Sequence, residues 1–122
     1  MYPLIAKWTI LPGKEAEAIE ILKKLPEQVK KESGTLLYLV HTPDFTQPSL
    51  PTPAAGEVIF FEIYKDKAAF MDHLNGKAFT DFVKEHGSLF FYNNNQPFVI
   101  VEMLKHQGGF IKEELLKELG GI

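Results

Sequence analysis

The chain has 122 residues, 45% hydrophobic and 24% charged, which is the balance of one globular domain with a real core. All 13 basic residues are lysines against 16 acidic residues, and a net charge of −3 without arginine argues against nucleic-acid binding. Cysteine is absent, which excludes disulfides, thiolate metal sites, iron–sulfur clusters and cysteine nucleophiles.

The sequence also lacks the features of membrane insertion and of export. No apolar run approaches the ~18 residues that a spanning helix needs. The N-terminus, Met1-Tyr2-Pro3, lacks the basic region and apolar stretch of a signal peptide. We therefore expect a cytoplasmic protein.

The first third of the chain predicts a strand followed by an interrupted helix. Residues 4–11 are rich in β-branched and aromatic side chains and stop at the turn signal Pro12-Gly13. In residues 14–32, apolar side chains recur every three or four positions, which indicates one helical face. Pro26 lies inside this pattern and predicts a kink or a restart, and Gly34 ends the helix.

Two further strands flank a long loop. Residues 35–42 and 57–64 are apolar and β-branched, and the second run gives the strongest strand signal in the chain. Residues 43–56 between them contain four prolines and predict a loop longer than most connections in a compact domain.

The C-terminal half predicts helices on either side of a last strand. Asp66 is a candidate N-cap for a helix that ends at Asn75-Gly76. The remaining predicted elements are a helix at 77–86, a polar loop at 93–96, a strand at 98–105 and a helix at 110–119.

The predicted element order is β-α-β-β-α-β followed by a C-terminal helix. This order is typical of a ferredoxin-like α+β fold, a four-stranded antiparallel sheet with helices on one face. We expect residues 1–106 to form this domain and residues 107–122 to be a helical extension of it.

The strand composition indicates that one copy of the chain is incomplete. Residues 58–61 and 98–101 are continuous apolar runs, whereas a sheet covered on one face alternates apolar and polar residues. We therefore predict a homodimer in which two sheets pack face to face. The alternative is that the C-terminal helix folds back over this face, although ten residues are too few to cover four strands.

His73 is the main catalytic candidate. It lies on the apolar stripe of its helix, so its ring faces the space between helix and sheet, where burial favours the neutral imidazole that accepts a proton. The alternative is a core histidine bonded to a backbone carbonyl or a tyrosine. The four histidines form no metal-binding motif, and we expect no metal site.

Glu62 and Tyr64 are candidate substrate-binding residues. They are two positions apart and share one face of their strand. A carboxylate in an apolar strand needs a partner, so Glu62 either holds His73 or another pocket group, or pairs with Lys7, or lies exposed at the end of the sheet.

Four aromatic residues complete the candidate substrate-binding set: Trp8, Tyr38, Phe70 and Phe79. Trp8 and Tyr38 could line a flat aromatic pocket, or they could be ordinary core residues. A cavity beside His73, Tyr64 and Glu62 would favour catalysis, whereas rings filling that space would favour binding or a structural role.

Several motifs resemble one known family. One stretch of the chain resembles the antibiotic biosynthesis monooxygenase (ABM) domain. It runs from Glu57 through Glu62-Ile-Tyr64 and Ala69-Phe70-Met-Asp-His73-Leu74, and Phe79-x-x-Phe82 follows it. The opening Trp8-x-x-x-Pro12-Gly13 and Glu32-x-Gly34 are also similar to it. Within the family the chain is similar to the small quinol-monooxygenase-like proteins.

The resemblance implies a dimeric α+β barrel with a pocket between sheet and helices. It implies oxidation of an electron-rich phenol or quinol, a small aromatic substrate, by O₂ without flavin, haem or metal, with His73 as the base. Haem-degrading relatives carry Asn, Trp and His where this chain has Ala6, His73 and Val83, which disfavours haem chemistry.

Two other function classes remain open at this point. The first is a non-catalytic dimeric barrel that binds a small apolar ligand or a partner protein. The second is an isomerase that acts on a small carbonyl compound, since one fold hosts many chemistries.

Overall fold

The computed structural model describes residues 1–93, 96–97 and 99–120, and gives only the backbone of Asn93, Gln96 and Pro97. In chain order the elements are β1 (Tyr2–Thr9), α1 (Glu15–Leu22), α2 (Leu25–Val29), β2 (Thr35–His41), β3 (Glu57–Tyr64), α3 (Lys67–Asn75), α4 (Lys77–His86), a 3₁₀ turn (Gly87–Leu89), β4 (Tyr92–Asn93), β5 (Gln96–Pro97), β6 (Val99–Met103) and α5 (Glu113–Glu118).

The main sheet has the order β2-β3-β1-β6, and all its strand pairs are antiparallel. The two strands nearest in sequence, β2 and β3, are neighbours, and the crossovers through the helices place β1 and β6 side by side. This confirms the predicted ferredoxin-like α+β fold.

The core lies between this sheet and the helices. On β3 every second residue is buried, and its inward side chains are Val58, Phe60, Glu62 and Tyr64. The period of two is the one that a strand with one face on the core requires. Because Glu62 lies on this inner face, a carboxylate enters an otherwise apolar core.

The predicted restart in the first helical segment is confirmed. The segment divides into α1 and α2, and Pro26 is the second residue of α2. Proline is tolerated there because its missing N–H would have no partner in the first helical turn. Leu22, Leu25 and Val29 are buried on the side facing the sheet.

The predicted N-cap of α3 is also confirmed. The Asp66 carboxylate accepts a hydrogen bond from the backbone N–H of Ala69 at 2.8 Å. The backbone N–H of Gly76 donates to the carbonyl of His73 at 3.1 Å where α3 ends, and α4 begins directly afterwards. The cap and the turn fix the direction of α3 and therefore the position of His73.

The structure differs from the prediction at several places. The last strand, predicted at 98–105, ends at Met103. β1 is shifted to Tyr2–Thr9, with Ile10 making an isolated bridge to Phe90. The predicted polar loop contains the short β4 and β5 pair, while Asn94, Asn95 and Phe98 lie outside the described residues. α5 is shorter than predicted because its apolar side chains are exposed, so no packing extends the helix. The placement of residues 107–122 within the same domain stays a prediction.

The outer face of the sheet is mostly apolar, with a Lys7–Glu57 ion pair on it, and has no cover within the described part of the chain. The strand registers place these side chains on it: Ile5, Leu37, Leu39, Ile59, Phe61, Ile63 and Ile100. Phe61 is 42% exposed and Ile100 is 51% exposed. No helix in the described residues is long and apolar enough to cross a membrane.

Candidate functional site

His73 lies at the centre of a cluster of rings between α3 and the sheet. It is 4% exposed. Its ring centroid is 5.3 Å from Tyr64, 5.8 Å from Tyr38 and 5.8 Å from Phe79. As predicted, the imidazole faces the space between helix and sheet. Aromatic rings pack around it there, which is the arrangement of the predicted alternative, and Tyr38 and Tyr64 bring hydroxyl groups to that space.

The hydrogen-bond partner of His73 is Glu32, in the turn before β2. His73 Nδ1 lies 2.7 Å from Glu32 Oε1, and the Thr35 hydroxyl donates to the same oxygen at 2.9 Å. The Glu32 side chain is 21% exposed, and its Oε2 is buried without a hydrogen-bond partner among the described residues. The histidine and the carboxylate are 41 positions apart in sequence.

Gly34 allows this contact by letting α3 approach β2. A Cβ built on Gly34 would lie only 2.5 Å from the Cβ of Ala69 on the first turns of α3. The Gly34 carbonyl also accepts a hydrogen bond from the backbone N–H of Lys65 at 2.8 Å, just before the helix. Since any larger residue would separate the two segments, Gly34 helps bring His73 to Glu32.

The partner of Glu62 is another group of the same cluster, Tyr64, and not His73. The Tyr64 hydroxyl donates a hydrogen bond to Glu62 Oε1, and the two side chains share one face of β3 as predicted, which is the buried inner face. The predicted alternative pairing with Lys7 is wrong, because Lys7 points outward and lies 3.5 Å from Glu57. Exposure of Glu62 at the end of the sheet is wrong too, since it is 6% exposed.

Burial and charge shift the protonation of this cluster. Burial raises the pKa of the Glu62 carboxyl, against the opposing effects of the Tyr64 hydrogen bond and of His73. Burial also raises the pKa of the Tyr64 hydroxyl, and the Glu62 charge and hydrogen bond raise it further. The pKa of Tyr38 is well above its ordinary value through burial and the charges of Glu62 and Glu32. Both tyrosines therefore keep their protons and can act as hydrogen-bond donors.

The other predicted aromatic residues lie around this cluster at different distances. Phe70 packs on Tyr64 with centroids 5.1 Å apart, and Phe79 contacts His73 directly. Trp8 is 7% exposed and lies one ring further away, 6.2 Å from Phe79 and 4.8 Å from Phe60. Trp8 is thus a core residue that packs against Phe79, and Phe79 lies between it and His73.

A separate groove runs between the pair α1–α2 and the pair α3–α4. Its volume is about 750 Å³, and apolar side chains on its walls include Ile21, Leu25 and Phe82. Glu32 lines this groove and also bonds to His73, so it lies between the groove and the buried ring cluster. Among the described residues, no group of three His, Asp or Glu side chains could hold a metal ion.

Comparison with known proteins identifies the family of this fold and ring cluster. The model of the family described as "Antibiotic biosynthesis monooxygenase" (ABM) matches residues 1–85. The chain belongs to the ABM family. The match covers β1 to α4, and it therefore includes Glu32, Glu62, Tyr64 and His73. No curated protein matches the sequence.

Solved structures of other ABM-like proteins share the fold. A crystal structure titled antibiotic biosynthesis monooxygenase is 21% identical with a TM-score of 0.68, and the match covers 88% of this chain and all of that one. PA3566 from Pseudomonas aeruginosa is 27% identical with a TM-score of 0.65, covering 88% and 94%. Rv0793 from Mycobacterium tuberculosis is 18% identical with a TM-score of 0.66, covering 88% and 96%.

The residue that completes this cluster and was not among the sequence-predicted site residues is Glu32 of this ABM chain. Its signal was the Glu32-x-Gly34 motif, which was used only as part of the resemblance. A glutamate in a helix-to-strand turn followed by a glycine gives no local sign of what it contacts. The partner of His73 is thus Glu32 and not Glu62, which bonds to Tyr64.

Proposed function

We propose that this ABM protein is a cofactor-independent monooxygenase that oxidises an electron-rich phenol or quinol with O₂, with His73 as the general base. The observation that carries the proposal is the buried His73 imidazole, bonded to a carboxylate through Nδ1 and flanked by two tyrosine rings. The family description supports the monooxygenase class.

The proposed chemistry begins with removal of a proton from the substrate. A phenolate gives electrons to O₂ far more easily than a phenol does, and a positioned base in an apolar site promotes its formation. For an anthrone-type substrate, the methylene carbon loses two hydrogens and gains one oxygen as a carbonyl. The other oxygen atom leaves as water, so substrate plus O₂ gives quinone plus water and the substrate supplies all the electrons.

Stabilisation of the phenolate is the second requirement, because a phenol pKa near ~10 makes a neutral imidazole a weak base for it. Tyr38 is the donor best suited to this role, since its raised pKa keeps the hydroxyl protonated next to a developing oxyanion. Burial raises the pKa of the Glu62 carboxyl, so its charged form is less favoured here than in water.

Oxygen uptake tests the proposed function. Wild-type protein with a chelator and no added cofactor is given anthrone or 1,4-naphthoquinol, and the rate without protein is subtracted. The matched controls are 9-methoxyanthracene and 1,4-dimethoxynaphthalene, which have the same rings but no acidic hydroxyl. We expect uptake with anthrone, which has an acidic methylene group, and with the quinol, and none with the two ethers. Equal uptake with the methyl ethers would contradict a base-initiated mechanism.

We further propose that the working form is a homodimer through the outer face of the sheet. A stable interface buries about 800 Å² from each partner, and the outer face of a four-stranded sheet is the candidate surface for it. Phe61 supports this assignment, because its registers place it between Ile5 and Leu39 on that face while it remains 42% exposed. A second copy of the same face would remove these side chains from water.

Phe61→Glu is expected to convert the dimer into a monomer at micromolar concentration, because it buries an unpaired carboxylate at the centre of the interface. Sedimentation velocity measures the change. The matched control is Phe45→Glu, since Phe45 is 59% exposed but lies in the loop between β2 and β3. A Phe61→Glu protein that stays dimeric would show that copies associate through another surface.

The groove between the helix pairs favours a second candidate function, which is binding of a small ligand without catalysis. Its volume of about 750 Å³ suits a molecule of drug size, and it lies outside the ring cluster. This candidate predicts binding of the same aromatic panel without oxygen uptake. Isothermal titration alongside the uptake assay distinguishes the two functions.

A further inference from the structure

We propose that Glu32 is the positioning residue of His73: its carboxylate holds the imidazole proton on Nδ1 and leaves Nε2 as the atom that accepts the substrate proton. The base role itself rests on the proposed function. The position of the proton on Nδ1 is independent of the proposed function, because it is a property of the protein without substrate.

The contact between Glu32 and His73 favours one tautomer of the imidazole. An ionised carboxylate can only accept hydrogen bonds, so the 2.7 Å contact with Glu32 Oε1 requires a proton on His73 Nδ1. A neutral imidazole carries one proton, and its other nitrogen is then the acceptor. The hydrogen bond described for the His73 ring is made through Nδ1, and none is described at Nε2. Nε2 is therefore the basic nitrogen on the side away from Glu32.

Glu32 is itself held in place, as a positioning residue must be. The Thr35 hydroxyl donates to Oε1 at 2.9 Å, and the backbone N–H of Glu32 donates to the carbonyl of Val29 at 2.9 Å. On the other side, a Cβ on Gly76 would lie 3.2 Å from Oε2, so the turn between α3 and α4 packs closely against the carboxylate. The carboxylate has little freedom to rotate away from His73.

The same contact suits the step that follows proton transfer. When Nε2 accepts a proton, the buried imidazole becomes a cation, and Glu32 then forms a short ion pair with it. The other ionisable groups that face the ring are Glu62, Tyr38 and Tyr64. Glu62 already accepts the Tyr64 hydrogen bond, so Glu32 is the carboxylate that bonds the cation directly.

Nitrogen NMR on the full ¹⁵N-labelled chain tests the assignment without any substrate. Long-range ¹H–¹⁵N spectra distinguish a protonated from an unprotonated ring nitrogen, and the His73→Asn variant identifies the His73 signals. We expect wild-type His73 to carry its proton on Nδ1, Glu32→Ala to shift the proton at least partly to Nε2, and Glu32→Gln to retain the wild-type tautomer through its amide oxygen.

The matched control is Glu85→Gln, which removes the exposed glutamate beside His86, where the two side chains are 3.7 Å apart. It should leave the His73 signals unchanged. In the uptake assay, Glu32→Ala is expected to lose about 10²-fold in turnover, as for a misplaced reacting group, and Glu32→Gln is expected to recover part of it.

Wild-type His73 protonated on Nε2 would overturn the inference whatever the activity. An unchanged tautomer in folded Glu32→Ala would also overturn it. If Glu32→Ala does not fold, the wild-type spectrum and Glu32→Gln still decide. If wild-type protein gives the expected spectra but no oxygen uptake, the result supports Glu32 as the residue that fixes the tautomer. Only the proposed monooxygenase activity is then contradicted.

Discussion

His73→Asn is expected to lower the rate of oxygen uptake by roughly 10²- to 10⁴-fold, the usual contribution of a general base. Asparagine keeps an N–H that can bond to Glu32 Oε1 in place of Nδ1, so the buried carboxylate retains a donor. It has no basic nitrogen to replace Nε2. The loss therefore reports proton abstraction more cleanly than His73→Ala, which also leaves Glu32 buried without its partner.

The control for this variant is His86→Asn on α4. His86 lies near the other end of the helix pair, with its ring centroid 5.3 Å from Phe82 and no contact with the His73 cluster. It should retain wild-type uptake. Full activity in a folded His73→Asn protein would leave an enzyme and remove His73 as its base.

Gly34→Ala is expected to destabilise the fold by about 1–3 kcal/mol and to reduce activity at the same time. The added methyl group would lie 2.5 Å from the Cβ of Ala69, so α3 must move away from the start of β2. Because Glu32 lies on one side of this contact and His73 on the other, the movement lengthens their hydrogen bond. Urea unfolding and oxygen uptake measure the two effects.

A second substitution provides the control for this prediction. Ala69→Gly removes the methyl group on the helix side, so the double variant should regain activity. Its free energy of unfolding should stay about 1 kcal/mol lower because of the glycine within a helix. A double variant no more active than Gly34→Ala would show that backbone freedom at residue 34, and not its close approach to α3, is what matters.

The sequence predicted the fold because strong local signals coincide with the tertiary arrangement. The β3 run at 57–64 and the α4 pattern at 77–86 have the same bounds in the structure. Where tertiary packing sets the limits, prediction was poorer. α5 spans only Glu113–Glu118, because its apolar side chains lack a partner surface in the described chain.

The site was predictable where one element determines it. The period of two on β3 placed Glu62 and Tyr64 together on the inner face, and helical spacing placed His73 towards the sheet. The pairing of Glu32 with His73 was not predictable, since the two residues are 41 positions apart and meet only when α3 packs beside the turn before β2. Contacts of this kind depend on packing between elements and leave no periodic pattern.

We propose above that this chain inserts one atom of O₂ into an electron-rich phenol without a cofactor. The most direct measurement is mass spectrometry of the anthraquinone formed from anthrone under ¹⁸O₂ by chelator-treated wild-type protein. We expect one ¹⁸O atom in each product molecule, and we expect the rate of anthraquinone formation to fall to the background of autoxidation in His73→Asn. Product formed at the background rate, or enzymatic product without ¹⁸O, would contradict it.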